Sequence, residues 1–233
     1  MSSLKELRRL VRRQKNSAKA LVLQGFFKTG KGEYGEGDIF YGLTVPRSRK
    51  IAKKFSSLDL ASIRLLLSSA IHEERLIALL ILVEQFGAGG RDAREKIARF
   101  YLKNSRSVNN WDLVDLSAHK ILGVYLLDKP KDLLRELAKS RNIWDRRISV
   151  LTTFHFIGHG RFRESLDLAR LLLRDEHDLI HKAVGWMLRE VGKRDKAAEV
   201  KFLKKYSKVM PRTMLRYAIE RFPRAEQLKY LRK

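Results

Sequence analysis

A short pattern returns along this chain at nearly constant spacing. A basic residue leading an apolar run stands at Arg75, Arg147, Lys182 and Arg216, in the segments Glu74–Leu79, Arg146–Leu151, His181–Trp186 and Leu215–Ile219. The last two steps are 35 and 34 residues and the first is 72, with Trp111-Asp112-Leu113-Val114-Asp115 opening midway through it. A unit of about 35 residues, each with a helix preceded by another helix, marks a helical-hairpin solenoid, whose units bury their apolar faces only by stacking on one another. The Trp/Leu/Gly/Tyr pattern of tetratricopeptide units is absent, so a HEAT-like array with variable spacing fits better. The expected fold is all-α, an α-solenoid of HEAT-like helical hairpins in a curved array with a basic concave face. A solenoid has no clean interior boundary, so residues 1–233 are read as a single domain, with a basic N-terminal helix region at 1–28 and a glycine-rich loop at 29–38.

Apolar residues at three- and four-residue spacing predict helices over Leu58–Ser69, Glu73–Phe86, Arg91–Leu102, Trp111–Leu127, Ile143–Ile157, Ser165–Leu173, His177–Val191, Ala197–Tyr206 and Thr213–Phe222. Breakers fall between them at Gly87–Gly90, Pro130, Gly158–Gly160, Gly192, Pro211 and Pro223. No two-residue hairpin turn joins alternating apolar runs, so no strand is predicted. No apolar run approaches the roughly 18–20 residues of a membrane span. The basic start of the chain lacks the apolar stretch of a secretory signal peptide, and a cytoplasmic, nucleoid-associated location is expected.

Charge narrows the function. The 50 Lys and Arg residues outnumber 26 Asp and Glu, for a net charge of +24. That much like charge opposes folding, and an anionic partner that neutralises it is the simplest reason to keep it. Residues 1–28 hold eight Lys or Arg and one Glu; residues 193–233 hold fourteen and four acids. Positive ends of this kind suit a surface that grips a polyanion at several phosphates, and the bland alternative is a solvated basic surface. There are no cysteines, which excludes disulfides, zinc fingers, iron–sulfur clusters and thiol nucleophiles.

The repeat register singles out further residues. Positions four apart share a helix face, and the slot four beyond the recurring one holds Leu79, Asp115, Leu151 and Trp186. In a stacked array Trp111, Asp115, Arg147, Lys182 and Trp186 are therefore expected on one surface. An indole face attracts cations and a carboxylate stabilises developing positive charge, so Trp111 with Asp112 and Asp115 suits a substrate that becomes cationic. The alternative is a core Trp with two acids favoured by the helix dipole. Arg147 reads as a phosphate clamp or as a structural ion pair, with Asp115 among its candidate partners. Trp186, inside an otherwise apolar helix, taken by itself reads more readily as core. The pairs His155/His159 and His177/His181 have the spacing of metal ligands but no third ligand nearby, and no metal is expected. Gly30-Lys31-Gly32-Glu33-Tyr34-Gly35 spells GxGxxG, yet it follows no strand and carries acids, so it reads as a flexible loop without a nucleotide cofactor.

Several blocks together resemble the HEAT-like AlkD family of bacterial and archaeal DNA alkylation-repair proteins, from about Gly25 to Phe222. They are Phe26-Phe27-Lys28-Thr29-Gly30, Gly35-Glu36-Gly37-Asp38, Gly42-Leu43-Thr44-Val45-Pro46, Asn110-Trp111-Asp112-Leu113-Val114-Asp115, Asn142-Ile143-Trp144 through Arg147, and Lys182-Ala183-Val184-Gly185-Trp186 through Glu190. The resemblance implies excision of cationic N3- or N7-alkylated purines from duplex DNA, with the lesion left stacked. It implies that Asp115 is the active-site acid, that Trp111 and Trp186 face the sugar, and that Arg147 contacts a phosphate. A family aromatic corresponds to Phe26, a glutamine of the best-known members to Thr44, and the loop Thr29–Asp38 is longer than theirs. With the recurring basic residues Lys182, Arg75 and Arg216, these complete the expected DNA contacts. The expected partner is double-stranded DNA with alkylated bases, bound by a monomer with no membrane and no cofactor. The rival function is a HEAT-repeat module that binds damaged or branched DNA, or structured RNA, without chemistry.

Overall fold

The computed structural model describes residues 3–232. The first two residues of the basic N-terminal segment and Lys233 of the C-terminal one lie outside the described residues. All regular structure among the described residues is helical; the only β pairing there is an isolated parallel bridge between Ile39 and Ile71. By internal contacts the chain divides into two compact units, Met1–Ser117 and Ala118–Lys233.

The first unit begins with α1 (Leu4–Arg13) and α2 (Ser17–Phe26), followed by α3 (Val45–Lys54), α4 (Leu60–Leu67), α5 (His72–Ala88), α6 (Arg91–Lys103) and α7 (Trp111–Ala118). Side-chain caps start most of them. The oxygens of Ser3, Asn16, Thr44 and Asp59 accept backbone N–H groups of Glu6, Lys19, Arg47 and Ser62, satisfying donors that the first helical turn leaves without partners. α5 packs against α3, α4 and α6 and is buried on all sides over residues 72–82. A helix apolar all round belongs in a core, and Leu76–Leu82 is such a run. Lys28 takes a left-handed φ of 52°, turning the chain out of α2 into the glycine-rich loop.

In the second unit a π-helical turn (His119–Gly123) leads to the one-turn α8 (Val124–Leu126), then α9 (Asp132–Ala138), α10 (Ile143–Gly158), α11 (Arg163–Leu171), α12 (Asp178–Gly192), α13 (Lys196–Tyr206), α14 (Arg212–Ala218) and α15 (Arg224–Leu231). α12 packs against α10, α11, α13 and α14. Gly185 explains how closely α14 approaches: a Cβ there would lie 2.4 Å from the Met214 carbonyl oxygen.

These elements match the helical-repeat solenoid that the 35-residue spacing predicts, with three corrections. The single helix expected over 111–127 is interrupted by the π turn, where Gly123 meets α10 so closely that a Cβ would sit 2.5 Å from His155 Cβ. The helix expected to reach Phe222 leaves α geometry at Ala218 and finishes as a 3₁₀ turn, Ile219–Arg221, before Pro223. Helices α3, α9 and α15 lie outside the predicted set, α9 and α15 being short at seven and eight residues.

Candidate active site

α7 starts where Asn110 turns its side chain back, its Oδ1 accepting the Trp111 N–H at 2.8 Å. Trp111 and Asp115 stand one turn apart on this helix, both half-buried. The indole stacks on Phe27, with ring centroids 4.9 Å apart and planes 10° from parallel, and meets the edge of Phe26 at 5.8 Å. Phe27 is buried whereas Phe26 is 63% exposed, and its α2 neighbours Leu21 and Val22 are exposed too. An uncovered apolar edge therefore lies beside Trp111. No acidic residue occurs between Glu6 and Glu33, so every charge that this stretch of chain carries is basic.

Beneath the aromatic layer lies a buried ionic cluster that the sequence did not foretell. His72 Nδ1 is 3.0 Å from Asp38 Oδ2, and its Nε2 is 2.9 Å from Asp112 Oδ2. Arg75 donates to Asp38 Oδ1 at 2.5 Å and to the Ser69 carbonyl at 2.8 Å, and the Asn110 amide donates to Asp38 Oδ2 at 3.2 Å. All five side chains are buried. Burial favours neutral His72, but the carboxylates of Asp112 and Asp38 outweigh it and raise its pKa to about 9. For Asp38, burial pulls upward and loses to His72 and Arg75, so its carboxyl sits below the usual range. Phe40 stacks on the imidazole at a centroid distance of 4.4 Å, and Phe27 lies tilted by 43° against it at 5.0 Å.

The neighbouring Glu73 fixes the loop before α3. Its buried carboxylate accepts the N–H groups of Tyr41, Gly42 and Leu43, the shortest at 2.7 Å. Gly42 is irreplaceable here: its φ is +85°, and a Cβ would lie 2.3 Å from the Asn16 carbonyl. The GxGxxG loop is satisfied from within. Glu33 accepts the Gly30 N–H at 2.9 Å and Glu36 the Gly32 N–H at 2.8 Å, so carboxylates occupy the donors that a phosphate would need.

The basic residues expected on DNA fall into different settings. Arg75 is 4% exposed and engaged with Asp38, so the expectation that it grips a phosphate gives way to a structural role. Thr44 caps α3 and is half-buried. In the second unit Arg147 is also buried and donates to the Leu179 carbonyl at 2.6 Å, which favours its structural reading. Lys182 is half-buried and pairs with Asp178 at 2.5 Å, whereas Arg216 is exposed. Trp186 is half-buried, tilted 45° on Phe154 at 5.7 Å, and donates its indole N–H to Glu190 at 3.2 Å. Burial would raise Glu190, but Lys193, Arg194 and that indole hold it below the ordinary carboxylate range. Of the histidine pairs, His155 and His159 lie with ring centroids 4.4 Å apart, and His159 Nδ1 contacts the His155 carbonyl.

The described residues form an all-helical repeat protein with an indole and a carboxylate one turn apart on one helix, in a strongly basic chain. Residues 7–222 match the family of DNA alkylation repair enzymes, and the chain belongs to that family. Among solved structures it is similar to a predicted DNA alkylation repair enzyme from Enterococcus faecalis. The two share 16% identity and a TM-score of 0.71, covering 91% of this chain and 98% of that one, a likeness of fold. No curated protein matches the chain.

Proposed function

We propose that this protein is a DNA glycosylase that removes cationic N3- or N7-alkylated purines from duplex DNA. The observation that carries the reading is Asp115, half-buried one turn beyond Trp111 on α7, where Trp111 is seated on Phe27. A purine alkylated at N3 or N7 is already positive. When its bond to C1′ breaks, the electron pair leaves with the base, which departs neutral and needs no general acid. The positive charge passes to the deoxyribose. A carboxylate held in a water-poor setting stabilises that charge more than it stabilises the ground state, and an indole face adds to it. Asp115 also orients the water whose oxygen bonds to C1′ and whose proton is then released.

Phe26 extends the apolar surface toward the sugar, and Thr44, Lys182, Trp186 and Arg216 are further DNA contacts in this reading. Arg75 and Arg147, being buried, are left out of the contact set. The test is release of 7-methylguanine from methylated duplex by purified protein, above the spontaneous rate. Asp115→Asn should slow release at least about tenfold while leaving duplex binding nearly intact. Tight binding with no release would instead make the protein a binding module.

A further inference from the structure

We propose that His72 is a positioning residue that works as an imidazolium at neutral pH, bracing the start of α7 so that Trp111 and Asp115 stand where they do. Both ring nitrogens face carboxylate oxygens, Asp38 at 3.0 Å and Asp112 at 2.9 Å. An ionised carboxylate only accepts, so each nitrogen must donate, and only the protonated ring has two N–H groups. Charge balance agrees. The ionisable groups facing the ring are Asp38 from the loop, Asp112 from α7 and Arg75 from its own helix, so the cluster is neutral only when His72 is charged. The Glu73 carboxylate beside it is turned away to the N–H groups of residues 41–43. The ring is 1% exposed, so water cannot replace a lost partner. Phe40 stacks on its face and Phe27 lies tilted against it, and aromatic rings favour a cation over a neutral ring at that spacing.

The same contacts lead outward to the proposed active site. Asp112 follows Trp111 directly, Asn110 both holds Asp38 and anchors the Trp111 N–H, and Phe27 touches His72 at a tilt while stacking on the indole. A neutral His72 can donate to only one of the two carboxylates, so either Asp38 keeps only Arg75 and Asn110 or Asp112 keeps only the Leu113 N–H. The braced end of α7 then has to shift.

The bracing concerns geometry and stands apart from the glycosylase reading; only its effect on turnover rests on that reading. Histidine ¹⁵N NMR on the full chain tests the charge. His72 should show two N–H groups at neutral pH and titrate near pH 9. The Trp111 indole N–H should move with the same midpoint while that of Trp186 stays still. A neutral His72 at pH 7, or a Trp111 signal indifferent to its titration, overturns the proposal. Asp112→Asn removes the demand for the second N–H and should lower the His72 midpoint; an unchanged midpoint also overturns it. In turnover, His72→Gln should lower kcat about tenfold with KM little changed, and adding Asp112→Asn should restore part of it. Wild-type kcat in His72→Gln would refute the bracing. Absence of base release by the wild type would sink the glycosylase reading, with the NMR result still deciding the brace.

Discussion

Trp111 and Trp186 are both half-buried indoles, but what lies under each differs. Trp111 is laid flat on Phe27, above an ionic cluster in which two carboxylates meet two cations. Trp186 is tilted on Phe154 and tethered by its N–H to Glu190, whose charge faces Lys193 and Arg194 near the surface. The first setting fixes a ring by its face and leaves its rim free of direct ionic ties. The second fixes a ring by its polar edge. A face-on floor suits a group whose position must be exact to a fraction of an ångström, and an edge tether suits one that adapts to a partner.

The largest test of this contrast is to remove each floor. Phe27→Ala should destabilise the protein by about 3–5 kcal/mol, whereas Phe154→Ala, at a half-buried site, should cost about 1–2 kcal/mol, both read from denaturant unfolding. Equal losses would erase the distinction. Alkali probes the same floor next. The folded pKa of His72, about 9, lies above its ordinary 6.5, so its contribution is fully present below pH 6.5 and lost as pH rises through 9. That contribution is about 3 kcal/mol and should vanish from the pH–stability curve in His72→Gln.

The second unit holds the counter-example. Glu199 is buried on α13, and among the described residues its Oε1 has no hydrogen-bond partner. Burial raises it to about 8, against the weaker pull of Lys196 and Arg189. A carboxyl raised in the folded state binds its proton more tightly there than when unfolded. The Glu199 contribution to stability is therefore greatest below pH 4.5 and declines as pH rises toward 8. Glu199→Gln should add about 3 kcal/mol at pH 7 and nothing at pH 4, measured by thermal unfolding at both. The smallest effect belongs to the edge tether. Glu190→Gln keeps an acceptor for the Trp186 N–H and should cost only about 1 kcal/mol.

The sequence carries this architecture unevenly. Helices α5, α10 and α12 announce themselves because long apolar runs at helical spacing have few other folds open to them. Trp111 and Asp115 are legible as a pair for the same reason, since a four-residue step on a helix is a statement about faces. The ionic cluster is not, because Asp38, His72 and Asp112 come from three distant segments and no period connects them. One signal was available. His72-Glu73-Glu74-Arg75 runs straight into Leu76–Leu82, and a helix apolar on every side has no solvent face for those charges. They had to find partners inside, as Arg75 did with Asp38. The recurring basic slot misleads at that point: equal spacing in sequence placed Arg75 and Arg147 in the interior and Arg216 in solvent.

The glycine-rich loop has a consequence of its own. Glu33 and Glu36 close onto the backbone of Gly30 and Gly32, so the chain has seated its own anions in the cradle its glycines form. A stranger's phosphate would first have to evict them. Glycines make such a hollow possible, but whether it is a receptor depends on which tenant the neighbouring residues have already installed.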